Sequence, residues 1–441
     1  MKQSPKLSLF QALVYSGAIA TSATLSLLAP AFSRSVNAAL QDSPKAVLDE
    51  AWQIVNRDYV DGSFNQVNWQ EVRKELLSKG YTSREQAYTA LRKALERLND
   101  PYTRFLDPEQ YEALTSQTAG EMSGVGMQLE EHAETKIITV VQPMENSPAS
   151  AAGIQAGDQI LGIDGKPTQG MTVSEAAQKI RGEVGTKVTL KINRPGEQEF
   201  DVTLTRVRIE VSAVTSSVKQ EGNQKVGYIR LVEFSSHAGE QMERAIKNLN
   251  KENVDAFVLD LRANPGGLLR ISIDIARMWM NSGEIVKTVD RIGGSEDLKA
   301  NFTALTDKPL MVLVDDDSAS ASEILAGALK DNKRAVIVGD NTFGKALVQS
   351  VHGLSDGSGL AVTIAHYYTP SGTDISKKGV APDVKIVLTD EQKVNLAKQP
   401  KLIATDADPV YSKAISILQT ELKTKPVANN QSNSLALPKP R

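Results

Sequence analysis

The run Leu310-Met311-Val312-Leu313-Val314-Asp315-Asp316-Asp317-Ser318-Ala319-Ser320-Ala321-Ser322-Glu323 joins an unbroken apolar pentapeptide to three aspartates, five small residues and a glutamate. Five apolar residues in a row suit a strand covered on both faces, and Ser320 followed three positions later by Glu323 suits the start of a helix. Outward from this join the same alternation repeats. Val226–Val232, Ala256–Leu261, Ala335–Val338 and Leu360–Ile364 read as further strands, and 237–249, 269–280 and 321–330 as helices. Such alternation predicts an α/β unit around a largely buried sheet. A last helix is expected over 408–423, and the Pro-, Asn- and Ser-rich stretch 425–441 is expected to be disordered.

A strand-to-helix turn is a favourable seat for a nucleophile. Ala319 and Ala321 let a substrate backbone approach Ser320, and the free amides and positive end of the helix favour an alkoxide and an oxyanion. The serine needs a base, and a lysine serves when burial disfavours its ammonium form. Lys345, in Gly344-Lys345-Ala346-Leu347-Val348-Gln349, has apolar neighbours that can bury its amine, and Gln349 is placed to orient it by accepting a hydrogen bond. Leu259-Asp260-Leu261-Arg262-Ala263-Asn264-Pro265-Gly266-Gly267 runs a buried strand into a turn whose amides can join that of Ala321 as oxyanion donors. Each feature also has an ordinary explanation. Ser320 with Glu323 is a capping-box spacing, most lysines lie on surfaces, and Pro-Gly-Gly makes turns. Taken singly, the residues leave both explanations open.

Other chemistries are excluded or lack support. With no cysteine, thiol catalysis and Cys-ligated metals are ruled out. The four histidines, His132, His237, His352 and His366, form no H-x-x-x-H pair, so a helical zinc-peptidase motif is absent. Neither G-x-S-x-G nor a Gly-flanked serine gives a Ser-His-Asp triad local support. Lys2 and Lys6, an uncharged Leu7–Pro30 and Val36-Asn37-Ala38 predict a signal peptide over 1–38, with an uncleaved anchor as the alternative. Its removal takes the net charge from −3 to −6, 47 basic against 53 acidic side chains, which argues against a nucleic-acid partner. The remaining 403 residues suffice for two or three domains with ample core.

Residues 43–98 read as helical, with Ser83 and Gln86 as a capping box ahead of Tyr88, Leu91, Leu95 and Leu98. Asn99-Asp100-Pro101 stops them. Over 117–207 the texture changes to short β runs at Val125–Leu129, Ile137–Val141, Gln159–Ile163, Val188–Ile192 and Phe200–Leu204, with helical pieces near 147–152 and 174–180. This is a small, mostly β unit with two helices.

Ser318-Ala319-Ser320-Ala321-Ser322-Glu323-Ile324-Leu325-Ala326-Gly327-Ala328-Leu329, Phe343-Gly344-Lys345 with Gln349, and Leu261-Arg262 with Asn264-Pro265-Gly266-Gly267 together closely resemble the carboxyl-terminal processing peptidases. Asn99-Asp100-Pro101-Tyr102-Thr103-Arg104-Phe105-Leu106 looks like that family's segment before its PDZ module, and Gly379-Val380-Ala381-Pro382-Asp383 like its near-terminal turn. The likeness spans nearly all of the chain beyond the leader.

The resemblance implies an α/β catalytic core of the crotonase-like or ClpP-like type over 208–424, an inserted PDZ domain over 117–207 and an N-terminal helical region over 39–116. It implies a dyad in which Ser320 attacks and Lys345, 25 positions later, is the base, with Gln349 in support and the Gly266 and Ala321 amides as oxyanion hole. Metal and cofactor are not expected. Gly124-Val125-Gly126-Met127 resembles a PDZ carboxylate loop, whose amides face a chain terminus while the peptide adds as a strand. The expected partners are unstructured C-terminal tails of proteins, membrane proteins among them, while homo-oligomerisation stays open. The branch it looks most like trims the precursor of the photosystem II reaction-centre protein in cyanobacteria and chloroplasts, so export to a periplasm or thylakoid lumen is expected, with membrane association open.

Three departures from the family pattern spare the dyad. Asp315-Asp316-Asp317 replaces the commoner Asn-x-Gly, Ala263 a frequent Asn and Ala346 a frequent Gly. The acidic run is expected to bear on substrate approach or on the pKa of Lys345. The main alternative is a catalytically silent PDZ adaptor that binds C-terminal tails.

Overall fold

The computed structural model describes residues 43–132 and 135–424, so the expected leader at 1–38 and tail at 425–441 lie outside the described residues. Three helices come first: α1 (Pro44–Asp58), α2 (Trp69–Ser78) and α3 (Arg84–Glu96). They bury Leu48, Ala51 and Val55 together with Tyr88, Leu91, Leu95 and Leu98, the last four being the stripe that helical periodicity marked. Ser83 caps α3, accepting from Gln86 N at 3.3 Å, and Gln86 Oε1 reaches back to Thr82 N rather than to Ser83.

After Asn99, which turns the chain at φ 52°, come β1 (Arg104–Leu106), α4 (Pro108–Ala119) and β2 (Glu121–Gly124). The insert follows with β3 (Met127–Glu131), β4 (Ile138–Pro143), α5 (Pro148–Ala151), β5 (Gln159–Ile163), β6 (Lys166–Pro167), α6 (Val173–Ile180), β7 (Lys187–Asn193) and β8 (Phe200–Thr205). These strands form an antiparallel sheet in the order β3-β4-β5-β7-β8, with β6 on β5, closed over Ile138, Val140, Ile160, Val188, Leu190 and Ile192. β9 (Val207–Glu210) leaves the insert antiparallel to β2. Entry and exit thus run side by side as a two-stranded stalk.

The core sheet begins with β10 (Val214–Glu221), β11 (Gln224–Leu231), α7 (Ala238–Lys251), β12 (Ala256–Asp260) and α8 (Leu269–Trp279). Next come β13 (Glu284–Asp290), β14 (Ser295–Lys299), β15 (Leu310–Val314), α9 (Ala321–Asp331), β16 (Val336–Gly339), β17 (Leu347–Gly353), β18 (Gly359–Tyr368), β19 (Val384–Lys385), α10 (Asp390–Lys398) and α11 (Pro409–Thr424). The sheet order is β10-β11-β12-β15-β16-β19, parallel except for β10 at its edge. Side chains alternate along a strand, and the apolar pentapeptide of β15 shows why it must be apolar throughout. Val312 and Val314 pack with α7, α8 and α9, while Met311 and Leu313 pack with Tyr411, Ala414 and Leu418 of α11.

Leu360–Ile364 departs from expectation. It belongs to β18, which lies outside the core sheet in a second, antiparallel one ordered β1-β18-β13-β14, with β17 also on β18. That sheet takes β1 from the N-terminal segment, a pairing across more than half the chain that local periodicity cannot register. Among the described residues no helix is long and apolar enough to cross a membrane.

Candidate active site

β15 delivers the chain to Ser320 through a knotted turn. Ser318 Oγ donates to Leu261 O at 2.9 Å, and both carboxylate oxygens of Asp315 accept from Ala263 N, at 2.9 and 3.0 Å. Asp315 therefore ties the two expected loops together, and Asp316 pairs with Lys393 at 3.0 Å. The charges that bear on the lysine are Arg104, Asp100 and Glu323, so the acidic run is not the influence on Lys345 that the sequence suggested. Ser320 sits at φ 55°, a left-handed conformation that costs an L-residue about 1–3 kcal/mol. The strained residue directly precedes α9, whose first amide, that of Ala321, has no partner among the described residues.

Asn264 holds the second loop in place. Its carbonyl accepts from Ala319 N at 3.0 Å and from Ser322 Oγ at 2.9 Å, while Nδ2 donates to Leu231 O at 2.8 Å. Its Oδ1 accepts from Gly266 N at 2.9 Å. The Gly266 amide expected as an oxyanion donor is thus already engaged, leaving Ala321 as the free one. Gly266 itself is required, because at φ 104° a Cβ there would stand 2.7 Å from Ala319 O and 2.9 Å from Ala321 N.

Lys345 is partly buried, and its Nζ lies 4.6 Å from the centre of the Tyr102 ring. Burial, and then the nearby Arg104 charge, hold the amine below the usual lysine range against the opposing pull of Asp100 and Glu323. Among the described residues no hydrogen bond joins Lys345 Nζ to Ser320 Oγ or to Gln349, so the expected orienting contact is absent. Gln349 lies on β17 with its Nε2 buried and unpartnered.

Tyr102 reaches the site through its own local turn. Asp100 accepts from Tyr102 N at 3.0 Å and from Thr103 Oγ1 at 2.7 Å, and Thr103 Oγ1 accepts from Thr363 N of β18 at 3.0 Å. Sequence reasoning quoted Tyr102 for its family likeness and missed its place against the lysine.

Glu323, expected only as a cap, is the other residue missed. Its fully buried carboxylate accepts from Ser320 N (2.8 Å), Lys345 N (2.9 Å), Gly344 N (2.7 Å) and Thr342 Oγ1 (2.6 Å). Burial pushes this carboxyl above its ordinary value in spite of those four bonds. The helix-start spacing was the one local signal for it.

Behind the second loop, Arg262 lies between Asp260 and Asp408. It donates to Asp260 at 2.9 and 2.6 Å and to Asp408 at 2.9 and 2.7 Å, and Tyr228 adds a bond to Asp260 at 2.7 Å. Burial alone would raise the Asp260 carboxyl, and the guanidinium overrides it and holds the group below the usual range. Replacing Arg262 with methionine would leave two buried carboxylates without their counter-charge. We expect a loss of about 3–5 kcal/mol, read as a lower midpoint in urea denaturation.

On the insert, Val125 and Gly126 are buried, and their amides have no partner among the described residues. Their carbonyls are taken, by Ala149 N and Met144 N at 2.9 Å each. Gly126 needs its φ of 77°, and a Cβ there would lie 2.3 Å from Ser147 Cβ. Arg206 fixes the facing helix, donating to the C-terminal carbonyls of α6 at Ile180 (2.8 Å) and Lys179 (3.1 Å).

Over 376 residues the chain is 45% identical to a carboxyl-terminal-processing protease of a Synechocystis species, covering 84% of this chain and 86% of that one. It belongs to the carboxyl-terminal-processing proteases. The chloroplastic C-terminal processing peptidase of Tetradesmus obliquus is 38% identical, covering 82% of this chain and 78% of that one. A solved structure described as the photosystem II D1 C-terminal processing protease matches with 38% identity and a TM-score of 0.53, over 83% of this chain and 98% of that one. The profile of peptidase family S41 fits residues 225–386, and that of the PDZ domain fits residues 139–194. The fold is therefore that of an S41 peptidase, mixed α/β with a PDZ domain. The processing protease is a serine-type peptidase and not a silent adaptor, and its PDZ domain implies protein substrates with C-terminal tails.

Proposed function

We propose that this processing protease is exported and cleaves near the C-terminus of protein substrates with Ser320 as nucleophile and Lys345 as general base. The observation that carries the proposal is the pairing of a strained serine at a helix start with a lysine whose amine burial keeps low, both backbones bonded to one carboxylate. Neutral Lys345 takes the Ser320 hydroxyl proton as Oγ attacks the scissile carbonyl. The resulting oxyanion is held by the Ala321 amide, and by that of Gly266 once Asn264 Oδ1 gives it up. The ammonium then protonates the leaving amine, and water activated by the same lysine releases the acyl group. The lysine amine lies over Tyr102, and the scheme has it turn toward Ser320. Gln349 on β17 is the residue we assign to receive it, its Oε1 accepting from the amine.

The free amides of Val125 and Gly126 support capture of a terminal carboxylate, with the tail lying between β3 and α6. Met127 opens the strand to which it adds, and Gly124 ends the stalk. We read 39–116 as a helical support, 117–207 as the PDZ module and 208–424 as a peptidase core of the crotonase-like or ClpP-like type. The likeness to a photosystem II D1 C-terminal processing protease supports a substrate such as the photosystem II D1 precursor, and we assign the site of action to a periplasm or thylakoid lumen.

An unstructured peptide with an apolar, free C-terminus tests the scheme against its amidated twin. Charge-assisted bonds to the carboxylate are worth about 1.5–3 kcal/mol, so amidation is expected to raise KM by about 10- to 100-fold. Equal KM values for the two peptides would remove tail capture from the proposal and leave the dyad standing.

A further inference from the structure

Tyr367 on β18 is 1% exposed. Its hydroxyl donates to Lys345 O and lies 3.2 Å from Ser320 O, and its backbone N–H donates to Ala346 O at 3.0 Å. On the other side of the same two residues, the Glu323 carboxylate accepts from Ser320 N and Lys345 N. The nucleophile's residue and the base's residue are thus held at both N–H and C=O by two side chains. Ser320 O has other donors, Glu323 N at 2.9 Å and Ile324 N at 3.0 Å. Among the described residues Lys345 O has only Tyr367.

We infer that Tyr367 is a positioning residue that sets the spacing of residues 320 and 345, and through it the reach of the Lys345 amine toward Ser320. The inference rests on the Ser-Lys reading above. Burial, and then the Glu323 charge, hold the Tyr367 hydroxyl well above the usual tyrosine range, so it remains a donor across the pH range of assay. One proton serves two carbonyls, and the closer bond goes to Lys345, whose backbone has no other fastening on that side. Without it, residue 345 is free to drift, and a displacement of about 1 Å in a catalytic group lowers rate by about 100-fold.

The test is Tyr367→Phe, which keeps the ring and removes the donor. Tyr411→Phe serves as control, since it strips an equally buried hydroxyl, bonded to Glu221 at 2.7 Å, from the far face of the core sheet. For Tyr367→Phe the expected result is a kcat lower by about 10- to 100-fold, with KM within about twofold. The acid limb of its kcat–pH profile should move to higher pH, because a looser amine is better hydrated and holds its proton more tightly. Tyr411→Phe should leave kcat and the limb in place. A Tyr367→Phe enzyme with wild-type kcat, or one whose loss merely matches its unfolded fraction by circular dichroism, would overturn the inference. Ser320→Ala and Lys345→Ala are assayed alongside. Cleavage by either would sink the dyad itself, whereas silence from both beside a fully active Tyr367→Phe would sink only the positioning role.

Discussion

Replacing Lys345 with alanine is expected to lower kcat for tail cleavage by about 10²- to 10⁴-fold, the usual worth of a positioned general base, with KM little changed. Ser320→Ala should cost at least as much, and the double variant should be no worse than the more damaged single one, because the two groups act as a unit. Steady-state kinetics on the four proteins checks this, and additive losses would argue against a shared step. The pH dependence carries a sign. Activity requires the neutral amine, so kcat rises as pH climbs through the pKa of Lys345, which burial and Arg104 place below the usual lysine range. Removing the positive neighbour with Arg104→Gln should shift the acid limb toward higher pH. Removing the negative one with Asp100→Asn should shift it lower, unless the loss of its bonds to Tyr102 and Thr103 moves the turn itself.

Glu323→Ala is expected to have the largest combined effect on stability and activity. It would strand four donors around an emptied site, from Ser320, Lys345, Gly344 and Thr342. Each buried donor left unpaired costs about 1–3 kcal/mol, so even with partial relaxation the variant should lose about 3 kcal/mol or more. The folded fraction should also be slow, by about 100-fold, because both dyad backbones lose their common anchor. Urea titration and kcat per folded molecule separate the two effects. A variant that melts early yet cuts at the normal rate would reduce Glu323 to a structural cap. Glu323→Gln probes charge alone. The folded carboxyl titrates above its unfolded value, so the stability it lends is fully present below the unfolded pKa and lost as pH rises through the folded one. The amide variant should lack that decline.

Much of this enzyme was readable without coordinates because its informative signals are local. Five apolar residues of β15 announced a doubly covered strand, and Ser320 and Glu323 announced a helix start, while the free amides at 125 and 126 were expected only from the likeness of 124–127 to a PDZ carboxylate loop. Hydrogen-bonded turns, caps and periodic burial are completed within a few residues, so their requirements are written in the nearby sequence.

What only the tertiary structure decided is how distant polar groups satisfy one another. Glu323 reads as a cap until Lys345 and Gly344 arrive from another loop to share its oxygens. Tyr102 reads as part of a Pro turn until β1 pairs with β18 and brings it over the lysine. Gly266 reads as a ready oxyanion donor until the Asn264 side chain occupies its amide. Arg262 and Asp408 carry no local sign of each other, and β18 looks like one more core strand although it belongs to a second sheet. In each case a buried donor or charge demands a partner, and the sequence records the demand without saying which distant residue the fold will bring to meet it.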